Sequence, residues 1–451
     1  MPIIQKSKAN KDKLGLKDIE LSYQNNIPDQ ANQKLNIAKN MPTVYYYGIE
    51  LAAQNIHKLI LDNNKFLPLC YISYTDTYSL LHDIGFPADD AKITIIIPAN
   101  DDALGNIFME FKIRKYEVEN IRNSEIKRIN MWGICNINNL LISEYKSYNS
   151  NSYDLFNMVA QNSGLGLMSN VDTSSDNMVW LNPSLNNYIF LQDVTRKSWC
   201  GESSFIWTFV DLFYNINYVD VEKCLSDNID NIAWINTNIF DNKLIPNTTQ
   251  THAIVSPMLS NEPSMRGSNM FFTAEIILNQ STDISLKRGY KRNVYFYDID
   301  GNWENKAGAY KIYGLDTITS PGTTNNSIIL KGEPGQLDFF NANNVNHYMD
   351  KIDTKNMYPD FLWAKLQNKE NLYDLQKIVM KITLPIPNFN IKRYEKIELL
   401  FTNKNIGIKA SQKNTKLNGQ WLCIGIEFHY NGATTWQELT LVKRELTITD
   451  I

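Results

Sequence analysis

The chain has 451 residues, of which 43% are hydrophobic and 20% charged, and its formal net charge is -4. That much apolar material supports a folded, soluble protein with roughly two to four cores and excludes an intrinsically disordered chain. The slight acidic excess excludes a general nucleic-acid binder, which needs a Lys and Arg surplus on at least one domain, and no run approaches the roughly 20 apolar residues that span a bilayer.

The first 40 residues read as a flexible N-terminal arm. Lysines outnumber acids between Lys6 and Lys17, and such a stretch is expected to be solvated rather than bound to nucleic acid. An opening on Pro2 and lysines instead of an apolar signal core predicts a chain made in a cytoplasm that stays soluble. Residues 41–145 then carry short runs rich in β-branched and aromatic residues: Val44–Glu50, Leu69–Tyr74, Ile93–Ile97 and Phe108–Ile113. Turn chemistry at Asn63-Asn64, Gly85-Phe86-Pro87 and Asn100-Asp101-Asp102 separates them, which predicts a small barrel or sandwich.

Between 146 and 225 the period shifts from two toward 3.6. Ser152 can cap a helix whose Leu155, Phe156, Val159 and Ala160 share a face, with Gly164 placed for a C-terminal cap. Gly166–Val171 looks extended, a second helix is predicted over Asn187–Lys197 and a third over Ser204–Tyr214, and Tyr218–Val221 returns to strand. This is a small α+β unit.

From 226 to 451 the pattern is again mainly β. Phe271–Ile277, Ile378–Leu384, Ile397–Phe401, Trp421–Tyr430 and Trp436–Leu446 are the predicted strands, the last two flanking Asn431-Gly432, a type I′ hairpin dipeptide. A Gly- and Asn-rich stretch at about 283–370 reads as an insertion, with a hairpin signal at Asp300-Gly301 and a helix near Phe361–Gln367. The abundance of Asn, as at Asn341–Asn346, reads as codon bias of an AT-rich genome.

No catalytic residue, cofactor or metal ligand set is assigned from the sequence. His57, His82, His252, His347 and His429 are scattered, with no pair spaced to present two ligands on one helix face. His429 sits in the alternating strand Ile424–Tyr430, sharing a face with Glu427, and reads as a sheet-surface histidine. Asp298, Asp300, Gly301, Asn302 and Glu304 form a fragment of a calcium loop without its remaining spacing, and a turn explains them. Gly164-Leu165-Gly166 and Gly332–Gly335 lack the Lys and Ser/Thr of a phosphate loop. Cys70, Cys135, Cys200, Cys224 and Cys423 are odd in number and widely spread, so they read as reduced, mostly buried thiols. The one basic cluster, Lys287, Arg288, Tyr290, Lys291 and Arg292 around Gly289, reads as a solvated loop that becomes a partner contact if it lies at an interface.

Several segments resemble the hub proteins at the centre of phage baseplates, a family related to the base of type VI secretion spikes. The likeness is densest over Ser152–Phe156, Gly164–Asn170, Thr173–Pro183 and Ser203–Glu222. It extends to Pro42-Thr43-Val44 with Gly48, Phe66-Leu67-Pro68, Tyr74 with Asp76, and Phe86-Pro87 before Ile93, and at the C-terminal end to Gly419–Glu427 and Glu438–Glu445. The resemblance implies a mainly β chain with an α+β insertion: two tail-tube-like β-barrel domains, at 41–145 and 226–451, plus a small α+β domain. It implies a structural, non-enzymatic role as a homotrimeric hub ring adapting a sixfold tail tube to a threefold central spike. Partners would be the tail tube or tube-initiator protein, the spike and other baseplate proteins, with no stable nucleic acid or membrane binding although the ring leaves room for DNA to pass. Its place would be the virion tail baseplate, assembled in the host cytoplasm. The alternative is a receptor- or carbohydrate-binding tail protein, also β-rich and trimeric, which would expose aromatic platforms on loops.

Overall fold

In the computed structural model the described residues are 3–16, 41–77, 90–98, 106–120, 127–201, 204–226, 253–255, 273–278, 291–298, 345–352, 378–384, 387–389, 391–400 and 419–443, with single positions between 357 and 376. In chain order the first elements are β1 (Ile4–Ser7), β2 (Thr43–Tyr46), β3 (Ile49–Glu50), β4 (Ile56–Asp62), β5 (Leu69–Asp76), β6 (Lys92–Ile97), β7 (Ile107–Asn120) and β8 (Lys127–Cys135). The middle section holds α1 (Asn138–Leu141), β9 (Ser143–Ser150), α2 (Ser152–Ser163), β10 (Gly166–Ser169), β11 (Met178–Asn186), α3 (Asn187–Arg196), β12 (Ile206–Val210), β13 (Asn215–Asp220) and α4 (Val221–Ser226). The rest comprises β14 (Ala253–Val255), β15 (Thr273–Leu278), β16 (Lys291–Asp298), β17 (Val345–Ile352), β18 (Ile378–Leu384), β19 (Lys396–Leu400), β20 (Gly419–Tyr430) and β21 (Thr435–Lys443).

The fold is mainly β, and its largest feature is one 13-stranded sheet whose main path runs β15-β18-β21-β20-β4-β5-β8-β7-β6-β2-β3, with β19 on β20 and β14 on β19. Both β segments expected from the sequence belong to it. They meet where β20 pairs antiparallel with β4, Glu427 opposite Asp62 and Tyr430 opposite Leu59. Alternation sets the faces: in β18, Ile378, Met380, Ile382 and Leu384 are buried and pack with Trp421, Cys423, Leu439 and Leu441. Tyr47 and Gly48, both with φ above zero (50° and 79°), make the two-residue turn that folds β3 back on β2. The predicted run Val44–Glu50 is therefore a tight hairpin, not one strand.

The type I′ turn expected at Asn431-Gly432 is instead a four-residue loop, since Tyr430 pairs with Thr435. Asn431 explains it: its Oδ1 accepts from the Ala433 and Thr434 amides at 3.2 and 2.8 Å, an Asx-type turn that competes with the two-residue form.

The α+β section is a four-stranded sheet, β1-β10-β13-β12, in which β10 and β13 run parallel. Helix α2 begins after Asn151, whose side chain accepts from the Asp154 amide, and stops at Gly164 in the left-handed region (φ 75°). Two expectations change here. The helix predicted over Ser204–Tyr214 is strand β12, antiparallel to β13. Its apolar residues fit a helical stripe, but Phe205 and Phe209 pack toward the second β segment while Ile206 and Val210 pack into the main core, a period of two with both faces buried. The N-terminal arm is also partly built in: β1 pairs with the free edge of β10, Ile4 opposite Ser169, and Asn10 donates to the Gly164 carbonyl at 2.7 Å. Residues 17–40 lie outside the described residues.

Within the predicted insertion, β16 and β17 pair in parallel, Lys291 opposite Val345. Asp300 and Gly301 lie outside the described residues, while Phe361 and Ala364 are helical as expected and Asn368, one residue past the expected end, is helical too.

Candidate functional site

One dense polar centre is internal. Asp176 is fully buried, and four donors close on its carboxylate: the Ser152 amide (2.8 Å) and Ser174 hydroxyl (2.6 Å) on Oδ1, the Ser152 hydroxyl (2.5 Å) and Trp199 amide (2.9 Å) on Oδ2. The Tyr218 hydroxyl lies 2.7 Å from Ser152 Oγ. Burial raises the Asp176 pKa against the pull of these donors. The network ties the start of α2, the β10–β11 connection and the segment after α3 to the central strand β13. It is a clamp within the α+β unit, with its carboxylate closed to solvent.

A second clamp is Arg393, fully enclosed between the α+β unit and the β20 region. Its guanidinium donates to the carbonyls of Ile424 (2.8 Å), Lys65 (3.0 Å) and Asn64 (3.2 Å) and lies 4.1 Å from the Phe209 ring centroid. Three separate stretches of chain thus share one planar cation. Desolvation lowers its pKa.

The thiols match the expectation of reduced, mostly buried cysteines: all five are free and Cys70, Cys135, Cys224 and Cys423 are buried. Burial pushes the pKa of Cys200 and Cys423 up to about 12, and those of Cys70 and Cys135 higher still, which removes thiolate character at neutral pH.

His429 and Glu427 share a face as the strand pattern predicts, and hairpin register adds Glu438, directly opposite Glu427. His429 Nε2 lies 3.3 Å from Glu427 Oε2 and 3.7 Å from Glu438 Oε1. The ring is stacked on Trp436, centroids 5.1 Å apart and planes within 7°. Asn64 donates to Glu427 Oε1 at 2.6 Å, and Trp436 Nε1 to Glu438 Oε1 at 3.3 Å. The neighbouring imidazole holds the Glu427 carboxyl below its ordinary pKa. Sequence reading missed Glu438 because pairing across a hairpin depends on register; with the loop length known, the Glu427–Glu438 pairing follows.

On the surface, β9 and β11 form a separate two-stranded ribbon, Tyr145 opposite Pro183 and Leu181 opposite Ser147. Its inner face buries Tyr148 and Trp180, the Tyr148 ring stacking on Phe190 of α3, while Tyr145 (84% exposed) and Leu181 (67%) stand outward. At one end of the large sheet, β15 exposes Ile276 and Ile277. Of the predicted partner-contact cluster, Lys287, Arg288 and Tyr290 lie outside the described residues, and Lys291 and Arg292 open β16.

No family model matches the sequence, and no curated protein matches it. Among solved structures the chain is similar to the 43 kDa tail protein of prophage MuSo2 from Shewanella oneidensis, at 8% identity and a TM-score of 0.49 over 90% of this chain and 97% of that one. It is similar to the tail protein from Neisseria meningitidis MC58, at 10% identity and a TM-score of 0.48 over 90% and 97%. A Francisella PdpA-VgrG complex matches at 11% identity and a TM-score of 0.45, over 98% of this chain and 63% of that one.

Proposed function

We propose that this chain is the hub of a phage tail baseplate, a structural protein of which three copies close into a ring between a sixfold tail tube and a threefold central spike. The observation that carries the reading is the continuous sheet: both β segments, separated in sequence by the α+β unit, are joined by the β4–β20 ladder into a single hydrogen-bonded body. A ring subunit that transmits load between two layers needs such continuity. Supporting it, among the described residues the sheet ends at β15 with Ile276 and Ile277 exposed, an apolar edge of the kind that proteins cover or pair. Strand pairing between copies in a head-to-tail ring would cover it. The exposed Tyr145 and Leu181 of the ribbon supply a second apolar surface for a neighbour.

Electron microscopy of the purified chain tests this. Threefold rings are expected from the natural chain, and Ile277→Lys, which places a charge at the exposed edge, should shift rings to single copies without loss of secondary structure. Single particles that bind cell-surface glycans would favour the receptor-binding alternative instead.

A further inference from the structure

The Glu427, His429 and Glu438 constellation combines two carboxylates with an imidazole, and a bland account exists for it: a charge pair on a sheet face. Two features go beyond that account. His429 is only 7% exposed, its Nδ1 has no hydrogen-bond partner, and its Nε2 meets only the Glu427 and Glu438 carboxylates, the nearer at 3.3 Å, an expensive arrangement for a buried polar ring. Its Nε2 is aimed between the two carboxylates, and one donor atom from each of the three residues falls within 4.8 Å of the others.

The distances suit a small cation. Bonds of about 2.0–2.2 Å at tetrahedral angles set donor atoms roughly 3.4 Å apart. The imidazole nitrogen stands 3.3 and 3.7 Å from the carboxylate oxygens. The surroundings already orient the donors. Trp436 fixes the imidazole plane by stacking, its Nε1 steadies Glu438, and Asn64 holds Glu427 by Oε1, which leaves Oε2 facing His429. Glu427 and Glu438 side chains are 31% and 40% exposed, so the constellation opens to solvent on one side, where a water would complete four-coordination. An imidazole donor points away from calcium and magnesium, which take oxygen ligands, and toward the borderline transition metals.

We propose that Glu427, His429 and Glu438 form a three-ligand site for a divalent transition metal of the zinc class, bound through His429 Nε2 and one carboxylate oxygen of each glutamate. The metal would strap β20 to β21 at the loop end of the hairpin, next to the β4–β20 junction. Lys381, exposed on β18 and near enough to act on Glu427, is the competing cation.

The test uses the untagged full-length chain titrated with Co2+, read by visible d–d absorption, and with Zn2+, read by calorimetry. One ion per chain is expected, with a rise in thermal midpoint and paramagnetic broadening of the Trp436 indole resonance by Co2+. His429→Gln and Glu438→Gln should each weaken binding by about 100-fold or more, beyond the roughly 10–100-fold expected for loss of an orienting partner in Asn64→Ala. His57→Gln, at an exposed histidine elsewhere, should bind as the natural chain does. Absence of saturable binding by the natural chain would overturn the proposal, as would Co2+ that leaves the Trp436 indole sharp. Undiminished affinity in a folded His429→Gln chain would do the same. Should both ligand variants misfold, the indole broadening in the natural chain decides alone.

Discussion

Replacing Asp176 by Asn keeps the shape of a fully enclosed polar group in the α+β unit and alters only its acceptor count. Each carboxylate oxygen takes one backbone amide and one hydroxyl: Ser152 N and Ser174 Oγ on Oδ1, Trp199 N and Ser152 Oγ on Oδ2. An amide offers one oxygen. Whichever way it is turned, its NH2 meets a backbone N–H that cannot rotate, and the paired hydroxyl must turn round to accept. One orphaned buried donor costs about 1–3 kcal/mol, and a disrupted hydroxyl adds about 1 kcal/mol. The neutral amide recovers part of the burial cost that raises the Asp176 pKa, which sets the low end of the range. The expected loss is therefore about 2–4 kcal/mol. Urea unfolding followed by tryptophan fluorescence measures it, since Trp199 donates its own amide to the network. A change below about 0.5 kcal/mol, the size of an ordinary surface substitution, would refute the clamp.

Three further outcomes follow from the geometry. Because Glu427 is held below its ordinary pKa, the folded chain carries fewer protons than the unfolded one between the two values; stability should climb with pH across that interval, and Glu427→Gln should flatten the climb in acid-unfolding curves. A Cβ on Gly166 would stand 2.1 Å from Asn215 Oδ1 and 2.9 Å from both Ala9 N and Ser7 O, so Gly166→Ala must displace the Asn215 side chain and should lever β1 off β10, exposing residues 3–16 to limited proteolysis. A thiol reagent at pH 8 should leave Cys70, Cys135 and Cys423 unmodified in the native chain and label them only as denaturant unfolds it, a difference read by mass spectrometry.

Strand identity was legible where one face is buried and alternation is clean. Ile378–Leu384 is the predicted strand residue for residue, and Leu69–Tyr74 and Ile93–Ile97 fall within one or two residues of β5 and β6. Helix α2 was legible from its face of Leu155, Phe156, Val159 and Ala160 and from Gly164, although Asn151 rather than Ser152 supplies the capping side chain. Reading failed where both faces are buried, since β12 has no polar side to reveal its period. It also failed where the deciding contact is remote. The free edge of β10 that orders β1 lies far along the chain, as the Ser7 hydroxyl accepting from the Leu167 amide, 160 residues away, illustrates. The candidate site divides the same way. The i, i+2 relation of Glu427 to His429 is local and was visible, whereas Glu438 arrives through the β20–β21 register and Asn64 through the β4–β20 junction.

The claim that most needs testing is the ring. Light scattering of the purified full-length chain, at two concentrations and two salt levels, gives its mass directly. A stable mass of about three chains, held on dilution, is the result the account predicts. A mass of one chain under all four conditions, unchanged on mixing with the spike and tube proteins of the same tail, would contradict it.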